Sequence, residues 1–231
     1  MLFRSKDPSL NDMNAFDVKI PAKWHFQGVL YQGGNCTSIP YGVFRATSPD
    51  GLSYVEDMPA LTWIWGTGPM ITFMPKNDCL PLKGPVSAQD FLTYLAGTMK
   101  MEYAGPEPVP ADENAKLQKE MQDANAVYAP KYAAMHAQPP KITWELARAG
   151  VRFKNGTFAM KGRLNVMLEC SEVTYPGSPG LTPYSPGHPP QMTRGQDSIV
   201  DKCTAHVGFY AAPETQFASV ARQWEIGRAH V

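Results

Sequence analysis

The strongest constraint on the fold is a two-residue alternation that recurs through the C-terminal half of the chain. From Glu145 to Lys154, Ala147, Ala149, Val151 and Phe153 fall on one side, and Arg148, Arg152 and Lys154 fall on the other. Successive side chains of a strand point to opposite faces, so this spacing predicts a strand with one apolar face. Asn155-Gly156 follows, the dipeptide favoured at the centre of a type I′ hairpin turn. The expected return strand carries Leu164, Val166, Leu168 and Cys170 on one face, with Arg163, Asn165 and Glu169 on the other. Val200 to Ala211 repeats the pattern with Cys203, Ala205, Val207 and Phe209 inward.

The N-terminal part reads as further strands. Phe16, Val18 and Ile20 alternate with Asp17 and Lys19 before Pro21 stops the run. Phe26–Tyr31 and Tyr41–Thr47 follow. Ser48-Pro49-Asp50-Gly51 is a turn in which Pro presets φ and Gly tolerates a positive one. Leu52–Glu56 is its partner strand, and Leu61–Trp65 places Leu61, Trp63 and Trp65 on one face. The stretch from Gly66 to Pro85 is rich in Pro and Gly and reads as loop, with a short strand at Met70–Met74.

Helices fill the middle. Ser87 is an N-cap with Asp90 three residues on, and Phe91, Leu92, Leu95, Met99 and Tyr103 share a helical face that Gly105-Pro106 ends. Asp112 caps a second helix with Leu117, Met121, Ala124 and Tyr128 inward and a break at Pro130. Pro176 to Gln196 reads as a long loop. Pro213 is placed at the first position of a last helix with Phe217, Val220, Ala221 and Trp224 on its apolar face. Strands, then helices, then strands without βαβ alternation predict an α+β fold with a mostly antiparallel sheet. The expected organisation is an irregular segment over 1–13, a single domain over 14–224 and a tail over 225–231. That tail, EIGRAHV, resembles a translated sequencing adapter and is expected to be non-native.

Composition excludes several functions. Twenty-one basic residues balance twenty-one acidic ones, so no electrostatic footprint for nucleic acid is present. No apolar run approaches the roughly 20 residues of a membrane span. The start, Met1 to Phe16, has no apolar signal-peptide core. An exported chain would therefore have its signal upstream. No P-loop, GxGxxG, HExxH or GxSxG motif is present, and no cofactor is expected.

Four cysteines allow three pairings. Cys170 and Cys203 lie on inward strand faces, and Cys36 and Cys79 lie in Gly/Pro-rich loops, which favours Cys170–Cys203 and Cys36–Cys79. Zinc is not expected, because Cys203 and His206 point to opposite faces of one strand. His206 is the best acid/base candidate. Trp63 and Trp65, with Tyr31 and Phe73, are the candidates for an aromatic ligand groove, against the alternative that strand aromatics form core.

Three segments together resemble the Mog1/PsbP-like α/β/α sandwich proteins, small exported bacterial members in particular. They are Ile20-Pro21-Ala22-Lys23-Trp24, Ser48-Pro49-Asp50-Gly51, and Phe209-Tyr210-Ala211-Ala212-Pro213-Glu214 with Phe217 following. Lys23 stands where that family usually has Gly. The resemblance implies a periplasmic or secreted, non-enzymatic binding or assembly module for an unknown protein or small molecule. It supplies no functional residues. A hydrolase using His206 or a loop histidine and a carbohydrate-binding module using Trp63 and Trp65 are the alternatives. Nothing in the sequence specifies an oligomeric state.

Overall fold

The computed structural model describes residues 2–7, 13–31, 41–73, 80–134, 138–177, 180–181, 192–193 and 195–228. The first seven strands in chain order are β1 (Leu2–Asp7), β2 (Met13–Lys19), β3 (His25–Tyr31), β4 (Tyr41–Thr47), β5 (Tyr54–Asp57), β6 (Leu61–Thr67) and β7 (Glu102–Glu107). The rest are β8 (Lys141–Asn155), β9 (Phe158–Tyr175), β10 (Gly180–Leu181), β11 (Met192–Thr193) and β12 (Ser198–Pro213). The helices are α1 (Ala88–Thr98), α2 (Ala111–Ala134) and α3 (Phe217–Arg228).

Eight strands make one sheet, in the order β3-β4-β5-β12-β9-β8-β7, with β6 also on β12. Every pairing in it is antiparallel. The fold is therefore α+β around an antiparallel sheet, as the alternation requires. β12 is its spine. One edge pairs with β9 from Ser198 to Pro213, while the other is shared, β6 taking Ile199–Ala205 and β5 taking Gly208–Ala211. At the change-over the Met58 amide donates to the Val207 carbonyl at 2.9 Å.

One face packs on α1. Ala147, Ala149 and Val151 of β8, Leu164, Val166 and Leu168 of β9, and Cys203, Ala205, Val207 and Phe209 of β12 meet Phe91, Leu92, Leu95 and Ala96 of the helix. Cys170 and Cys203 are direct cross-strand partners and form a disulfide, with Cα atoms 4.1 Å apart. Cys36 and Cys79 lie outside the described residues. The opposite face carries a second, smaller core of Ala46, Val55, Tyr210 and Ala212 under Phe217, Val220 and Ala221 of α3.

Several local expectations change. The hairpin turn is centred on Gly156-Thr157 rather than Asn155-Gly156, because Asn155 still pairs with Phe158. Gly156 has φ 59° and Asn155 no positive φ, so a glycine at the first central position replaces the expected I′ pair. α1 stops at Thr98 instead of reaching Tyr103. Lys100 adopts φ 56°, and the bonds Met101 N to Ala96 O (2.9 Å) and Lys100 N to Gly97 O (3.0 Å) close a Schellman motif. Tyr103 then belongs to β7, an edge strand that tolerates Pro106 because its outer side needs no ladder bonds.

The segment Pro69–Phe73 is a 3-10 turn, not a strand. Pro213 ends β12 instead of starting α3. Leu2–Asp7, expected to be irregular, pairs with β2 from Leu2↔Lys19 to Asp7↔Met13. In α2 only Leu117 is buried, and Tyr128 is 43% exposed, so the expected apolar face is largely unused. Pro130 sits inside the helix without ending it.

Candidate functional site

Strand register aligns one residue from each of seven strands in a single row. From β3 to β7 these are Gly28, Phe44, Asp57, Gly208, Asn165, Arg148 and Glu107. Cross-strand partners project on the same face, here the one opposite α1. The neighbouring row holds Ala46, Val55 and Tyr210, which α3 covers. On the other flank Leu146, Met167 and His206 stand in register. A polar row thus lies between an apolar row under α3 and the start of α2.

The result is an open trough of about 340 Å³ lined by Asp57, Val109, Glu113, Leu146, Arg148, Asn165, Met167, His206 and Gly208, among others. That volume lies in the small-ligand range of roughly 300–1,000 Å³. Arg148, expected to face outward, is only 8% exposed. Its Nη2 donates to Glu113 Oε1 at 2.8 Å and Oε2 at 2.7 Å. Glu113 sits in the first turn of α2, and its side chain is 47% exposed. Gln118 ties the same helix to β8 by donating to the Trp144 carbonyl at 3.3 Å.

Arg163 pairs with Glu107 across Gly150. A Cβ at position 150 would lie 2.9 Å from Glu107 Oε1, so the glycine provides room for this diagonal contact. Asn165, 8% exposed, forms part of the wall, and its amide nitrogen has no hydrogen-bond partner. Orphaned buried donors are uncommon and cost about 1–3 kcal/mol each. Burial pushes the His206 pKa below its ordinary value, while Glu169 pulls it back up. The imidazole is therefore neutral at neutral pH and presents one donor and one acceptor nitrogen.

The trough gathers an arginine, an amide, an imidazole and two carboxylates. Among the described residues no Ser, Thr or Cys lines it. Among the described residues no three His, Cys, Asp or Glu side chains lie close enough together to hold a metal.

Of the aromatic candidates, the structure describes the side chains of Trp63 and Trp65. Trp63 is completely buried and stacks on Phe91 with ring centroids 5.6 Å apart. Its Nε1 donates to the Gly84 carbonyl at 3.1 Å. Trp63 is therefore core, the alternative weighed for strand aromatics. Trp65 is half-buried beside it, centroids 6.4 Å apart. Tyr31 ends β3 at the sheet's far edge, and Phe73 ends the 3-10 turn; neither side chain is among those described.

Of the sequence-based candidates whose side chains are described, His206 alone lines the trough. Arg148, Asn165 and Asp57 were missed as site residues. The available signal was a pair of polar residues on the supposedly solvent face of two strands that share a hairpin. Compared with known proteins, the chain matches no family model, no curated protein and no solved structure.

Proposed function

We propose that this chain is an exported, non-enzymatic binding module of the Mog1/PsbP-like kind, and that its ligand site is the trough between α2 and α3. One observation carries the binding reading: the buried Asn165 amide nitrogen has no partner in the wall of a small-ligand-sized hollow. A group kept at a cost to stability is characteristic of a functional site. The Cys170–Cys203 bond supports an oxidising compartment. Lys23 supports the family resemblance, because its φ of 70° is the conformation a glycine there would adopt without strain.

Asn165→Leu tests the site without a known ligand. Replacing an orphaned amide by a hydrocarbon of similar size is expected to raise unfolding stability by about 1–2 kcal/mol. Urea titrations of the two proteins measure it. A loss of stability would show that Asn165 serves the fold, and the binding reading would be abandoned.

The convergence of His206 with Asp57, Asn165 and Arg148 favours a second reading, hydrolysis by a water that the neutral imidazole deprotonates. Turnover of chromogenic esters or phosphoesters that His206→Gln abolishes would establish it. Turnover indifferent to that substitution would remove it.

A further inference from the structure

We propose that the trough receives a monocarboxylate with a compact apolar body, its carboxylate seated on the Arg148 guanidinium in place of Glu113. This rests on the trough being a binding site and adds the class of ligand. Arg148 is 8% exposed, and a guanidinium so far withdrawn from water requires an anion beside it. Its resident partner is replaceable. The Glu113 side chain is 47% exposed, and both its oxygens engage the single nitrogen Nη2. The two-nitrogen fork with which arginine grips a carboxylate is not used by this pair.

Release costs Glu113 little. It stays in the first turn of α2, where water and the helix dipole both favour its charge. Leu117 is the one buried side chain of α2, so the start of the helix yields without opening a core. Asn165, the register partner of Arg148, offers an unsatisfied donor to a carboxylate oxygen beside the guanidinium.

Charge limits the ligand to one carboxylate. Arg163 on the same face is committed to Glu107, so among the described lining residues Arg148 alone offers a guanidinium to an anion. The neutral His206 adds no positive charge. Val109, Leu146 and Met167 provide an apolar lining for the body of the ligand.

Benzoate, with benzamide as its neutral isostere, tests the assignment on the full chain by calorimetric titration at constant ionic strength. Benzoate is expected to bind at least about tenfold more tightly than benzamide. Glu113→Gln, an exposed substitution, is expected to tighten benzoate by on the order of tenfold by removing the internal competitor. The Asn165 side-chain amide resonances should shift during the same titration. Equal binding of benzamide, or a benzoate Kd unchanged by Glu113→Gln, overturns the proposal. If benzoate fails to bind while Asn165→Leu stabilises the chain, the carboxylate assignment falls and the binding reading stands. If Asn165→Leu destabilises it, both fall.

Discussion

The two faces of the central sheet are built on opposite principles. On the α1 face the central positions of β8, β9 and β12 are apolar, Trp63 stacks on Phe91 of the helix, and a disulfide joins neighbouring strands. On the other face, α3 covers one apolar patch and α2 touches the sheet through few groups, leaving a row of charged and amide side chains between them. The first face maximises burial. The second leaves a buried donor unpaired and a buried cation held by a half-exposed partner. Stability and selectivity are thus assigned to different sides of the same strands, and substitutions on the two sides should differ in sign as well as size.

The largest effect should come from emptying the α1 face. Trp63→Ala leaves a cavity against Phe91 and is expected to cost about 3–5 kcal/mol in urea unfolding. A loss below about 1 kcal/mol would mean that this face is less tightly packed than its burial implies. Replacing both Cys170 and Cys203 with Ala should cost roughly 2–4 kcal/mol, because the unfolded chain regains the loop between them. Urea unfolding of the two proteins without reductant measures the difference.

The polar face responds to pH instead. The folded pKa of His206 lies below its ordinary 6.5, so below that pH the unfolded chain takes up a proton that the native chain resists. The stability present above pH 6.5 is therefore lost as pH falls from there through the lowered folded value. His206→Gln should flatten that decline below pH 6.5, as read from urea midpoints. An equal decline in the variant would assign it to other groups. The smallest effect is local to the α1 face. Lys100→Gly should add up to about 1 kcal/mol by relieving a left-handed lysine at the helix end. Thermal unfolding resolves it, and a lower midpoint would show that the lysine side chain contributes more than its backbone costs.

The sheet's spine was legible because the central stretches of β8, β9 and β12 each bury one apolar face, and burial imposes the alternation that periodicity detects. The edge strand β7 was not legible. Tyr103 falls where another helical turn would place it, and Gly105-Pro106 reads as a helix stop although an edge strand tolerates both. The actual end of α1 was hidden because Lys100 occupies the position where glycine usually announces a Schellman motif. The site was the least legible part. Alternation assigns Arg148, Asn165 and His206 to the face away from the apolar core, but it does not reveal that helices cover part of that face. The approach of Asp57 depends on β5 joining β12 in register, a long-range pairing that local sequence does not encode. The burial of Trp63 was hidden for a related reason: an aromatic residue near a Gly/Pro-rich loop looks accessible until α1 is packed against it.

The two-residue loop at Gly156-Thr157 also bears on the order of assembly. β8 and β9 are adjacent in sequence and can zip from that turn, a local event on the order of microseconds. β12 must return across an intervening segment and then recruit β5 and β6 from the N-terminal half, so its docking involves distant parts of the chain. Cys170 travels with the early hairpin and Cys203 with the late strand. They become direct partners only when β12 has settled in register against β9. An oxidised Cys170–Cys203 pair is therefore a chemical record that the last central strand has arrived, and trapping thiols during refolding would time that arrival.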